Sequence, residues 1–358
     1  MRSNSAFAGL LKPISQEAFS AWLRRGVRSK NPVPFLRAVD RLTQLEVKDF
    51  DVWISRPLVD GIAETLGLSN EELRSSFPVP GDWLRAEPRQ RLRACAACLF
   101  DDFRCGRDPT SRTVWFCWWY NVCPVHYCLL SVYRSTLPSD MLAEEIRPDI
   151  TIPAGSRLRF LETPVSSRPR AVPNALKAYR ELGAFLHGNI LLTALSFQQW
   201  YQDSVRQGTF MIGNVSFEVC AADMEGFMSD LLAVIGKKRS LVFDQRSYIS
   251  QLLGIRTWCF LNTPLRPSDG CEAFLCLEPG EYPENIRMTI FALLGLLLRI
   301  PKCIWMWELG CYKININNLW YTLLWDARRS PSYLDWLKGR ADNWNPSVRA
   351  HFKHLLGE

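Results

Sequence analysis

Cys95-Ala-Ala-Cys98 and, after a spacer of 24 residues, Cys123-Pro-Val-His126 are the stretches on which the reading of this chain turns. Each pair sits on a tight knuckle whose two side chains converge on one point. One Cys/Cys pair and one Cys/His pair supply the soft ligands that a tetrahedral Zn²⁺ takes. Cys95, Cys98, Cys123 and His126 together fill all the coordination positions and leave none for a substrate. The spacing therefore predicts a structural Zn²⁺, not a catalytic one. The spacer is rich in aromatics, with Phe100, Phe103, Trp115, Phe116, Trp118, Trp119 and Tyr120. It reads as a β-hairpin or ribbon whose small core is completed by the metal.

The alternative is a set of ordinary buried thiols, since the chain has 12 cysteines and cysteine is among the most buried residue types. Core packing does not by itself produce a doubled short spacing. Cys105, Cys117 and Cys128 crowd the same segment, and Cys117 or Cys128 could substitute as a ligand under a different pairing. Cys271, Cys276, Cys303 and Cys311 lack a second tight pair or a nearby histidine and read as core thiols. Met1-Arg2-Ser3-Asn4 leads into no apolar run of signal-peptide length. The expectation is a reducing bacterial cytoplasm, where close cysteine pairs bind metal more often than they form disulfides.

A length of 358 residues suits two domains or three small ones. Hydrophobic content of 47% and charged content of 22% are those of a globular protein, and 14 Trp with 19 Phe suffice for a sizeable core. A net charge of +7 permits a nucleic-acid partner without demanding one. The longest apolar stretch, Met288–Leu298, stops at Arg299. A bilayer span takes about 20 apolar residues, so this is a buried core helix, and no membrane partner is expected.

Helical spacing predicts a helix over 16–27, capped by Ser15 and burying Phe19, Trp22 and Leu23. Pro32 and Pro34 break the next stretch, and a helix follows over 35–45. A helix over 57–66 ends at Gly67, and Ser69 with Glu72 forms a capping box for the next, closed by Leu73 and Phe77. Helix, glycine turn and capped helix is a helix-turn-helix outline, which a plain helical hairpin shares. Residues 138–173 carry Pro148, Pro153, Pro164 and Pro169 and read as a linker or extended arm. Further helices are expected over 175–186, 190–205, 225–235, 286–300, 316–325, 332–338 and 346–356. A hairpin or loop is expected at 208–221, and a small helical hairpin at 248–260. The fold class is thus mostly α: a helical, helix-turn-helix-like N-terminal part (1–90), an inserted zinc ribbon (91–135), a basic, proline-rich linker (136–173) and a helical C-terminal domain (174–358).

Positive charge clusters in three places: Arg24, Arg25, Arg28 and Lys30; Arg89, Arg91 and Arg93 beside the first knuckle; and Arg157, Arg159, Arg168 and Arg170 on the arm. Each cluster could contact backbone phosphates, or be a solvated face. Lys237-Lys238-Arg239 reads as a basic turn at a helix end. Among the histidines, His351 and His354 stand three apart on the last helix, and His187 follows another. No phosphate-cradling glycine loop, nucleophile elbow or metalloprotease helix occurs. Asp101-Asp102 is a bare pair of neighbouring acids. Nothing points to an enzyme, a small-molecule substrate or a catalytic residue.

Several of these pieces are similar to the TniQ/TnsD family of transposition proteins. Ile14–Arg25, with Glu17, Ser20 and Trp22-Leu23-Arg24-Arg25, resembles the family's opening. So do Leu66-Gly67-Leu68-Ser69 with Leu73, and the metal segment with its Cys95-x-x-Cys98-Leu99, Asp101-Asp102, Trp115, Cys123-Pro124-x-His126 and Leu129-Leu130. The resemblance spans about residues 12–135. Family members follow this segment with a second set of cysteines, which residues 131–180 lack. The resemblance implies a non-catalytic target-selection adaptor. Such a protein binds target DNA, or an RNA-guided CRISPR effector complex, and recruits an AAA+ ATPase regulator that passes the site to the transposase. The runner-up is a stand-alone zinc-containing, sequence-specific DNA-binding protein of a mobile element. A nuclease subunit with structural zinc is disfavoured by the lack of a dense acidic or histidine cluster. The Trp- and Leu-rich C-terminal helices suggest a homodimer.

Overall fold

The computed structural model describes residues 7, 9–54, 60–79, 81–91, 93–132, 189–236, 284–308 and 331–358. The expected helices at 175–186, 248–260 and 316–325, the arm carrying Arg157, Arg159, Arg168 and Arg170, the Lys237–Arg239 turn, His187, Cys271, Cys276 and Cys311 lie outside the described residues. The chain groups into two units, one built from the described residues of 1–120 and 130–132, the other from those of 121–129 and 163–358. The described residues are mostly helical, as expected.

In the first unit, helices α1 (Phe19–Val27), α2 (Val33–Gln44), α3 (Phe50–Trp53), α4 (Asp60–Leu66) and α5 (Asn70–Ser76) turn their apolar faces to a shared core. Trp22 lies at its centre, with the rings of Phe35 and Phe77 both at 4.9 Å. Its indole N–H donates to the Leu11 carbonyl at 2.7 Å, so burial leaves no orphaned donor. Helix α1 starts later than the Ser15 cap predicted: Ala18 occupies the N-cap position and offers no side-chain bond. The reason is Glu17. Gln16 adopts φ +60°, and the Glu17 carboxylate turns inward to accept from the Ile14 N–H (2.8 Å), the Thr110 hydroxyl (2.8 Å) and the Arg25 guanidinium (2.9 and 2.7 Å). A capping bond contributes about 1 kcal/mol, and this charge-assisted network outweighs it.

The prolines expected to break the next stretch instead open α2. Pro32 is its N-cap residue and Pro34 sits in the first turn, where a missing N–H has no intrahelical partner to lose. Helix α3 was not foreseen; Asp49 caps it by accepting from the Asp51 N–H at 3.2 Å. The α4–α5 turn is as expected. Gly67 takes φ +68°, the Ser69 hydroxyl accepts from the Glu72 N–H at 3.2 Å, and Glu72 accepts from the Ser69 N–H at 2.8 Å.

The aromatic spacer differs from the expected hairpin. It contains helix α6 (Ala96–Arg104) and a 3-10 turn over Thr113–Phe116. Leu99 and Asp102, three residues apart, both point inward from α6, and the buried Asp102 carboxylate takes Arg112 at 2.9 Å through both oxygens. That ion pair ties down a helix where the aromatic-rich spacer had suggested a hairpin or ribbon. The strands are short: β1 (Arg93–Ala94), β2 (Val122–Cys123), β3 (Cys128–Leu129), β4 (Ser131–Val132), β5 (Phe210–Ile212) and β6 (Val215–Phe217) pair antiparallel as β1–β4, β2–β3 and β5–β6.

The second unit holds the β2–β3 hairpin, the β5–β6 hairpin and helices α7 (Asn189–Gln207), α8 (Ala221–Gly236), α9 (Glu284–Leu297), α10 (Pro301–Glu308), α11 (Pro331–Ala341) and α12 (Pro346–Phe352). Every residue from Met288 to Leu298 is buried, as the apolar run predicted, and α9 packs on α7 and α10. Gly295 permits that approach: a Cβ there would stand 2.7 Å from Cys303 Sγ and 3.3 Å from Phe197 Cβ. Cys303 is a core thiol, as read from the sequence, and burial pushes its pKa up. Among the described residues no single helix is long and apolar enough to cross a membrane.

Replacing Glu17 by Ala leaves the Arg25 guanidinium buried and unpaired. Denaturant unfolding is expected to show a loss of about 3–5 kcal/mol, against under about 0.5 kcal/mol for Glu71→Ala on the exposed first turn of α5. A loss below about 1 kcal/mol for Glu17→Ala would mean that this ion pair does not set the start of α1.

Candidate metal centre

The first knuckle is a helix start. Cys95 is the N-cap residue of α6, and its Sγ accepts from the Cys98 N–H at 3.4 Å. This places both thiols at the positive end of the helix dipole, which favours thiolates. The second knuckle is the turn of the β2–β3 hairpin. The Tyr127 N–H donates to the Cys123 carbonyl at 2.8 Å, Tyr127 takes φ +49°, and Cys123 Sγ lies 3.6 Å from His126 Nδ1. One donor atom from each of Cys95, Cys98, Cys123 and His126 lies within 4.8 Å of the other three. A tetrahedron with arms of about 2.3 Å has edges of about 3.8 Å, so small side-chain shifts close this set on one ion. Cys95 and Cys123 are buried, Cys98 and His126 half-buried. The four donors could bind a metal ion, and among the described residues no other such group occurs.

The remaining thiols of the segment are not members of this set, although the buried Cys128 lies opposite Cys123 across the hairpin. Cys105 is exposed, and burial pushes the Cys117 thiol up to about 12, which keeps it protonated. His351 packs its ring edge-on against Phe217 at 5.5 Å, and His354 lies 6.1 Å from the Phe352 ring. Both are exposed, and burial first, then the Arg299 charge, lower their pKa values.

Polar side chains hold the knuckles from behind. Arg93, fully buried, donates to the carbonyls of Trp115 (2.9 Å), Cys117 (2.7 Å) and Tyr120 (3.2 Å) and lies 4.5 Å over the Trp118 ring. Gln198 of α7, also buried, accepts from the Asn121 and Val122 N–H groups at 2.8 and 3.0 Å and donates to the Val122 carbonyl at 2.7 Å. Asn121 Oδ1 in turn accepts from Arg287 Nε at 2.8 Å; burial lowers the Arg287 pKa to about 10, so it stays charged at neutral pH. Sequence reading missed Gln198 and Arg287. The one available signal was a glutamine among the apolar positions of α7, where Leu195, Phe197 and Tyr201 are buried.

The basic residues divide sharply. Arg25 is buried on Glu17, and its Nη2 also donates to the Lys12 carbonyl at 2.8 Å. Arg91 pairs with Asp49 and with Asp51 (3.2 Å) and lies 4.7 Å over the Phe116 ring. Asp51 is also held by Ser20, yet burial pushes its carboxyl above the usual range. With Arg93 on three carbonyls, three of the charges that looked like phosphate contacts are engaged inside the protein. Arg24 is half-buried, its Nε lacks a hydrogen-bond partner, and burial followed by the Arg28 charge lowers its pKa. Arg28 and Lys30 are exposed. Arg157, Arg159, Arg168, Arg170 and the side chain of Arg89 lie outside the described residues.

Residues 10–130 match the family model described as TniQ, about a third of the chain and the stretch that contains all four donors. No curated protein and no solved structure matches the chain.

Cys95→Ser, Cys123→Ser and His126→Ala are each expected to cut metal content, measured by elemental analysis of purified protein, to under about a tenth of the unsubstituted level. Cys105→Ser should leave it unchanged. Stripping with a strong chelator should lower the melting temperature of the parent chain, and retention of full metal content by Cys123→Ser would remove Cys123 from the ligand set.

Proposed function

We propose that this chain, which carries a TniQ domain over residues 10–130, is a target-selection adaptor of DNA transposition. In this reading it binds target DNA or an RNA-guided CRISPR effector complex and recruits an AAA+ ATPase regulator of the transposase. The observation that carries the reading is the coincidence of the family match with the four-donor cluster. The ion is Zn²⁺: three thiolates and one imidazole are the donor set it favours, and redox-inert zinc suits a structural post. With four protein donors the ion activates no water and polarises no substrate. Its role is to hold the two knuckles, leaving Val125 and Tyr127 exposed at the hairpin tip as part of a recognition surface. On the DNA-binding route Arg28 and Lys30, exposed beyond the end of α1, contact phosphates; Arg25, Arg91 and Arg93 do not, because their side chains are buried and engaged with the protein.

Two measurements test this. A tagged chain recovered from cells that hold its genomic neighbourhood, with and without nuclease treatment, should carry a CRISPR effector with its RNA, or DNA that nuclease removes, together with the ATPase. Recovery of none of these would contradict the adaptor reading. For direct DNA binding, the double variant Arg28→Glu/Lys30→Glu should reduce the dependence of log affinity on log salt by about 2, since each phosphate contact contributes about 0.9 to that slope. An unchanged slope removes both residues from the contact set.

A further inference from the structure

We infer that Gln198 is a positioning residue for the metal ligands Cys123 and His126, acting as a surrogate strand along the outer edge of β2. The inference rests on the metal-binding reading of the four-donor cluster. β2 and β3 contribute two residues each, too few to hold a hairpin in register in water. Val122, immediately before Cys123, sends both its N–H and its carbonyl to Gln198, as a residue of a neighbouring strand would receive them. The Asn121 N–H goes to the same Oε1. An amide oxygen has two lone pairs and an amide nitrogen donates only, so three bonds of this polarity fix one orientation of the side chain. Gln198 is 1% exposed, so bulk water does not compete for these bonds. Behind it, Arg287 braces the Asn121 side chain from α9. The clamp thus holds the backbone one residue from a metal-bound sulfur, and the knuckle is presented to the ion already ordered. Groups that orient ligands in this way are typically worth 10- to 100-fold in metal affinity.

The test uses the full chain and competition with a chromophoric chelator for Zn²⁺, at a temperature where each variant is folded. Gln198→Leu is expected to bind Zn²⁺ about 10- to 100-fold more weakly. Gln198→Glu keeps an acceptor for the two N–H groups but loses the donor to Val122, and should fall between Leu and the parent. Leu195→Ala, buried on the same helix without a role in the clamp, separates positioning from general loss of stability: it should lower the melting temperature yet bind Zn²⁺ within about threefold of the parent. Co²⁺ spectra should show altered ligand-field bands in Gln198→Leu only. Affinity in Gln198→Leu equal to that of the parent, or a matching loss in Leu195→Ala, would overturn the assignment, and if Gln198→Leu does not fold, Gln198→Glu against Leu195→Ala decides on the same criterion. A parent chain that takes up no Zn²⁺ at all would instead sink the metal reading, and this inference with it.

Discussion

Every backbone group withdrawn from water around the ligand cluster must find a partner, and the two-residue strand pairs there satisfy only a few of them. An unsatisfied buried donor or acceptor costs about 1–3 kcal/mol, so a loop-rich, tryptophan-rich segment would unravel if several were left. Single side chains meet the constraint instead. Arg93 collects three carbonyls of 115–120, Gln198 takes three groups of 121–122, and Glu17 gathers one backbone N–H, a hydroxyl and a guanidinium. Each is itself buried, so each bond forms in a low-dielectric setting where it counts for more. The second knuckle follows directly on the backbone that Gln198 holds, and Cys95 of the first stands two residues from Arg93.

This explains which parts of the chain could be read beforehand. The donor set was legible because metal chemistry restricts residue type and spacing together. The Ser69–Glu72 box and the Gly67 stop were legible because capping is local, settled within four residues. The buried run from Met288 to Leu298 was legible because it is apolar on every side. What failed was long-range pairing. Ser15 makes a good cap in isolation, but Glu17 finds Thr110, 93 positions away, and the helix start moves. Arg25, Arg91 and Arg93 sit in runs of positive charge that look the same in sequence whether their partners are phosphates or Glu17, Asp49 and main-chain carbonyls. Gln198 carries no motif; only its bonds to residues 121 and 122, 77 and 76 positions away, reveal its use.

The same redistribution of charge narrows the functional reading. The net charge of +7 already counts the acids that pair with Arg25 and Arg91, so the fold does not change it; what the pairing removes is the local clusters of free positive charge that residues 24–30 and 89–93 show in sequence. On the proposed adaptor reading, target selection rests on shape and partner contacts at least as much as on general attraction to phosphate. The four-donor cluster suits that role, since a closed site stiffens a surface without adding reactivity.

The central claim is that Cys95, Cys98, Cys123 and His126 close on one zinc. X-ray absorption at the zinc edge on the purified chain tests it most directly. The account predicts one zinc per chain with three sulfur neighbours near 2.3 Å and one nitrogen near 2.0 Å. A chain that purifies without metal, or a zinc shell made only of nitrogen and oxygen, would contradict it.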